Sequence, residues 1–111
     1  MKRYHVIIEQ PALDQIEHYY RRAVEAGAGI AADRWFNRLH AAILALSTLP
    51  TWAVSIPEQA DFAEPLRQLI FERRYRVIFT VAEESVHVLC VRGLGLPPLQ
   101  VEDISFGADE S

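Results

Sequence analysis

Apolar positions along the chain change their rhythm several times, and each rhythm predicts an element. Residues 3–9, RYHVIIE, are rich in β-branched and aromatic side chains and stop short of Pro11. Proline suits the first turn of a helix, where its missing N–H would be unpaired anyway, so a strand followed by a helix is expected. Leu13, Ile16, Tyr20 and Ala23/Val24 then recur at helical spacing, while Asp14, Glu17, Arg21 and Glu25 fall on the complementary face. The GAG at 27–29 breaks this helix, and Ala32, Trp35/Phe36, Leu39, Ile43 and Leu46 mark a second stripe that ends near Pro50. Two helices so closely joined predict a hairpin.

Periodicity is lost from Pro50 to Pro65, although Trp52, Val54, Ile56 and Phe62 supply enough apolar surface for an ordered loop packed on the domain. Beyond it LRQLIFE, RYRVIFTVA and SVHVLCVRG run apolar or alternate, with short polar breaks at Glu72 to Arg74 and at Glu83/Glu84. Such a pattern predicts three strands joined by tight turns. The expected architecture is α+β: an N-terminal strand, a two-helix hairpin, then a three-stranded antiparallel meander with the helices packed on one sheet face. The other face is expected to be partly solvated or covered by a partner. Residues 1–106 are expected to form a single domain, with 107–111 as a disordered tail.

Composition narrows the function classes. The chain has 111 residues, half of them hydrophobic, enough for one compact core. Its one cysteine, Cys90, excludes an internal disulfide framework and points to a reducing, cytoplasmic setting. The longest apolar run is AAILAL, far short of a membrane span. The four histidines have no metal-ligand spacing, so no metal and no cofactor is expected. A net charge of -4 argues against direct DNA binding over a broad surface, which needs many phosphate contacts.

The charge is unevenly distributed. Residues 66–93 hold five arginines against three glutamates, a local balance of +2 that leaves -6 for the remainder. Alternation on FERRYRVIFTV places Arg76 with Ile78 and Thr80, opposite Tyr75, Val77, Phe79 and Val81. The latter set is the better core face, so Arg76 is expected on the open face, where Arg67 and Arg92 can join it if the register allows. Arg73 and Arg74, at the hairpin tip, read as solvated. Surface arginines equally often cover apolar sheet with their stems and pair with carboxylates.

The strand-to-helix start VIIEQPALDQIEHYY, the Leu66/Arg67 pair and the hairpin YRVIFTV…VHVLCVRG together resemble the RelE/ParE superfamily of toxins from type II toxin–antitoxin (plasmid stabilisation) modules. The resemblance spans roughly residues 3–100 and implies a small growth-inhibiting toxin, neutralised by a cognate antitoxin and directed at DNA gyrase (ParE-like) or at mRNA on the ribosome (RelE-like). Positions matching Arg67 and Arg76 are basic in RelE-type nucleases. Their downstream Arg and Tyr or His are replaced here by Leu96 and Glu102, and Gly93 stands where many ParE-like members have His. RNA cleavage needs proton transfer as well as positive charge, and arginine supplies only the charge. The remaining proton-transfer candidates, His87, Glu72 and Glu102, form no recognisable constellation. These departures favour a ParE-like toxin that binds a protein target, gyrase above all, through Arg67, Arg76 and Arg92. A RelE-like endoribonuclease and a non-toxic, antitoxin-bound relic are the alternatives. Arg67→Glu or Arg76→Glu is expected to weaken toxicity without unfolding the domain.

Overall fold

A computed structural model describes residues 2–48 and 50–104. The expected tail at 107–111 lies outside the described residues. Strand β1 (His5–Ile8) is followed by helices α1 (Gln10–Glu25) and α2 (Gly29–Leu44), and the short β2 (Val54–Ser55) precedes β3 (Arg67–Phe71), β4 (Tyr75–Ala82) and β5 (Ser85–Gly93). The fold is α+β, as expected, and its sheet has five strands in the order β1-β5-β4-β3-β2. The meander β3-β4-β5 is antiparallel, whereas β1 runs parallel to β5, with His5 opposite Ser85 and Ile8 opposite Val88.

Local chemistry accounts for the helix ends. Glu9 is extended (φ -70°, ψ 157°), Pro11 lies in the first turn of α1, and Gly27 adopts φ +87° just past its end. There Ala28 N–H donates to the Ala23 carbonyl and Gly27 N–H to the Val24 carbonyl, both at 2.9 Å. That pair of bonds is a Schellman motif, and its left-handed position favours glycine.

The helices cover one sheet face. Ala12 and Ile16 of α1 and Leu39 and Ile43 of α2 are buried against Phe71, Val77, Phe79, Val86, Val88 and Val91. The buried stripe of α1 includes Ile16, as expected, but Ala12, not Leu13, faces the core, and Leu13 and Val24 are each more than 40% exposed.

The opposite sheet face corrects the expectation of an open surface. Ile78, Leu89 and Cys90 are buried beneath Ile56, Phe62 and Leu66 from the aperiodic loop and Leu99 and Ile104 from the C-terminal segment. The chain thus covers the middle of its own second face and leaves Ile70, beside Arg76, 42% exposed. Of the loop's expected packing residues, Ile56 and Phe62 are buried, but Trp52 and Val54 are exposed.

The helical layer also completes the hydrogen bonding of β5. Beyond Val88 that strand has outrun β1, and its amides turn to side chains of α1: Val91 N–H donates to Gln15 Oε1 at 2.6 Å and Gly93 N–H to the Tyr19 hydroxyl at 3.1 Å. Buried N–H groups left without acceptors are costly, so Gln15 and Tyr19 fix α1 over this end of the sheet. A bulge at Leu89, skipped between the pairs Ile78–Cys90 and Phe79–Val88, lies next to the Gln15 contact.

Candidate functional site

The three expected site arginines do not share one surface. Arg67 is paired with Phe79, whereas Arg76 is paired with Ile70 on one side and Arg92 on the other. Directly paired residues point to the same face, so Arg67 belongs to the helix-covered face and Arg76 and Arg92 to the second face. Register separates the two positions that resemble basic residues of RelE-type nucleases.

Nor is Arg76 exposed, as the sequence led us to expect. It is 8% exposed, with Nη1 and Nη2 donating to the two carboxylate oxygens of Glu58 at 2.8 and 2.7 Å and Nε donating to Gln68 Oε1 at 2.9 Å. The carboxylate of Glu58 also accepts from Leu99 N–H at 2.8 Å. Hydrogen bonds from Arg76 hold the Glu58 carboxyl down at about 2, against the upward push of burial. One carboxylate therefore joins β4, the aperiodic loop and the C-terminal segment. Arg92 acts similarly: Nη1 donates to Asp103 Oδ2 and Nη2 to the Pro97 carbonyl, at 3.2 and 2.8 Å. Arg67 Nη1 donates to the Ala53 carbonyl at 2.7 Å, tying β3 to the residue before β2.

Proton-transfer candidates are dispersed. His87 Nδ1 and Glu9 Oε2 are 2.7 Å apart where β5 passes the entry to α1. His87 pairs with Thr80, four residues along β4 from Arg76, a separation of about 13 Å at the usual rise per residue. Glu72 is gripped by Arg38 of α2, and hydrogen bonding from that guanidinium lowers its pKa. Glu102 is exposed in a short 3-10 turn at 101–103. Cys90 is buried, and burial pushes its thiol pKa up, the reverse of an activated nucleophile. Among the described residues no cluster of His, Cys, Asp and Glu has a metal-binding arrangement, and no helix is long and apolar enough to cross a membrane.

Besides a groove lined by Tyr20, Asp33, Phe36 and Asn37, the described residues form two further concave regions outside the expected site. An apolar slot between the helices is lined by Ile8, Leu13, Ile16, Phe36, Leu39, His40 and Ile43. A second region lies where α1, α2, the β3-β4 turn and the end of β5 converge. Tyr19 packs edge-on against Trp35 and Tyr75, which are tilted to each other, with ring centroids 5.1 to 6.4 Å apart. Two adjoining grooves of about 260 and 400 Å³ share Tyr19, Arg74 and Tyr75 in their walls; the first adds Trp35, Arg38 and Glu72, the second Arg73, Gly93 and Leu94. The turn between them, Phe71 to Arg74, is closed by Arg74 N–H donating to the Phe71 carbonyl at 3.0 Å. Its central residues Glu72 and Arg73 have φ 51° and 57°. Glycine, asparagine or aspartate normally fills such a left-handed pair. A three-residue gap without any of them, between two strong strands, was the one sequence signal of this corner. The carboxylate partners Glu58 and Asp103 left no such signal, because they lie in segments without periodicity.

No protein-family model matches the chain, and no curated protein matches it. Among solved structures the chain is similar to one described as "Chromosomal ParDE TA system from P. aeruginosa", with a TM-score of 0.68, 13% identity, and coverage of 81% of this chain and 95% of that one. At that identity the likeness is one of fold: the strand, helical hairpin and mixed sheet described above have a counterpart in a ParDE system.

Proposed function

We propose that this protein is the toxin component of a type II toxin–antitoxin module, ParE-like, acting in the cytoplasm by occupying a protein target, with DNA gyrase the target favoured. The fold likeness to a ParDE system supports the toxin reading. The separation of Arg67 from Arg76 supports binding over RNA cleavage. These two guanidiniums lie on opposite sheet faces, and Arg76 is already neutralised by Glu58. A phosphorane-stabilising cluster needs converging charge with a proton shuttle beside it, and His87 lies farther along the sheet with Glu9.

In this reading Arg67, Arg76 and Arg92 serve the target surface by holding the aperiodic loop and the C-terminal segment in place. The cognate antitoxin covers the apolar slot of the helical hairpin, where Leu13 and Phe36 are each more than 40% exposed. A RelE-like endoribonuclease is the second reading. It is favoured only by the His87 and Glu9 pair, a hydrogen-bonded imidazole and carboxylate able to move a proton.

Inducing the protein without antitoxin in a bacterial host, alongside a DNA-damage reporter, separates these readings. Growth arrest with a strong signal supports gyrase. Arrest with a silent reporter and cleaved mRNA transfers the assignment to the ribosome, and soluble folded protein without arrest identifies a lapsed toxin.

A further inference from the structure

We infer that the corner formed by Tyr19, Trp35, Arg73, Arg74, Tyr75 and Leu94 is a binding site for a short acidic peptide segment that carries apolar residues between its carboxylates. This inference is independent of the toxin reading. Three observations converge on it. Arg73 and Arg74 are exposed, and neither side chain makes a hydrogen bond or close ion pair among the described residues, although the charge of Arg74 acts on Glu72 beside it. They contrast with Arg38, Arg67, Arg76 and Arg92, whose guanidiniums are all engaged. The grooves beside them are lined by Tyr19, Tyr75 and the 43% exposed Leu94, apolar surface suited to a leucine-sized side chain.

The second observation is an imbalance in the groove lining. Trp35, in the wall of the groove, has its Nε1 buried without a hydrogen-bond partner among the described residues. Glu72, the one carboxylate among the described residues lining either groove, is held by Arg38 and also feels the charge of Arg74. Among the described residues cations thus exceed carboxylates around the grooves, and an incoming carboxylate complements that excess charge.

Third, the two cations are presented by a strained turn. Glu72 and Arg73 both occupy the left-handed region, which costs a residue with a β-carbon free energy and persists where surrounding contacts enforce it, often at ligand clamps. Arg38 pairs with Glu72 at this turn, which presents Arg73 and Arg74 at the mouth of the grooves.

Charge complementarity selects an acidic peptide over a nucleic acid. Two exposed arginines neutralise at most about two phosphates, whereas sequence-independent nucleic-acid affinity grows from many such contacts. A short acidic segment needs only the local positive field and the aromatic wall.

The test uses the full chain and a fluorescein-labelled hexapeptide, Glu-Asp-Leu-Glu-Asp-Leu, with its amide counterpart Gln-Asn-Leu-Gln-Asn-Leu and a six-nucleotide single strand as competitors. The acidic peptide is expected to bind at least tenfold more tightly than the amide peptide, more weakly at high salt, and at least tenfold more weakly to Arg73→Gly and Arg74→Ala. Arg73→Gly relieves the turn, so its loss of binding cannot be ascribed to misfolding. Binding should move the indole N–H resonance of Trp35 and leave that of exposed Trp52 in place. Equal affinity for the amide peptide, unchanged affinity in both variants, or a Trp35 signal that stays still at saturation each overturns the inference. Tighter binding of the oligonucleotide overturns the choice of partner.

Discussion

Arg76 and Arg92 stand directly opposite one another across β4 and β5, yet the juxtaposition of like charges is resolved within the chain, Arg76 by Glu58 and Arg92 by Asp103. Two guanidiniums facing each other on neighbouring strands repel. Each carboxylate that relieves this pair comes from a segment without regular periodicity, so the repulsion is answered by folding the loop and the C-terminal segment onto the sheet. What looked like a patch awaiting a partner is the means by which the domain closes its second core.

The Arg76 to Glu58 pair is the more deeply buried, with side chains 10% and 11% exposed. Removing one partner leaves a buried charge uncompensated, so Glu58→Ala is expected to cost about 3–5 kcal/mol in urea unfolding. Replacing both by apolar residues, Arg76→Met with Glu58→Leu, should recover most of that loss. If the double variant is no better than the single one, the carboxylate's bond to Leu99 N–H is the larger contribution.

Acid should weaken the domain through the same carboxylate. The folded pKa of Glu58 lies at about 2, below its ordinary 4.5. Its stabilisation is therefore complete above the unfolded value and is lost as pH falls from 4.5 towards 2. The lost stability is on the order of 3 kcal/mol. Midpoints of urea unfolding measured at successive pH values should show this decline in the wild type, and a shallower one in Glu58→Gln.

Arg67→Glu and Arg76→Glu, equivalent by the sequence alone, should differ in their outcome. Arg76→Glu sets a carboxylate against Glu58 in a nearly dry site and should unfold the domain or cost at least about 3 kcal/mol. Arg67→Glu loses the bond to the Ala53 carbonyl from a half-buried position and should leave a folded protein. Circular dichroism and thermal melting distinguish these outcomes, and only the folded variant informs a growth assay.

Arg92→Ala should release the C-terminal segment without melting the sheet. Its two hydrogen bonds hold Pro97 and Asp103, and with Asp103 partly exposed the loss is expected to be about 1–2 kcal/mol. Hydrogen exchange should accelerate at the amides of Leu99 and Ile104 while those of Val77 and Phe79 keep their protection.

The turn at Glu72 and Arg73 should yield the opposite sign. Glycine accepts the left-handed conformation of Arg73, so Arg73→Gly is expected to raise stability by about 1 kcal/mol. Glu72→Gly gains the same conformational relief but forfeits the Arg38 grip, and its net change should be smaller. A destabilised Arg73→Gly would mean that the side chain makes a folded-state contribution larger than the strain.

Periodicity alone made most of the architecture legible. The breaks at Pro11, Gly27 and the two polar turns delimit α1, α2 and the three meander strands, because a strand or helix with one buried face leaves its period in the sequence. The single-residue error on α1, where Ala12 and not Leu13 faces the core, arose because a small residue can occupy the closest contact while a larger neighbour lies at the flank. Alternation also assigned Val77 and Phe79 correctly to the helix-covered face. What covers Ile78 and Cys90 was legible only in part: Ile56 and Phe62 mark a loop that packs on the domain, but which face it covers, and that Leu99 and Ile104 join it, is written in no period.

The arginines mark the same boundary more sharply. Their spacing announced an excess of positive charge between Leu66 and Gly93, a property of the chain itself. Whether that charge was free or spent depended on register, which sent Arg67 and Arg76 to opposite faces, and on contacts between residues far apart in sequence, Glu58 with Arg76 and Tyr19 with Gly93. Local patterning is written in neighbouring residues because backbone geometry imposes its period directly; the partner of a buried charge is selected only when the whole chain is compact, and tertiary structure alone decided which arginines remained available to bind.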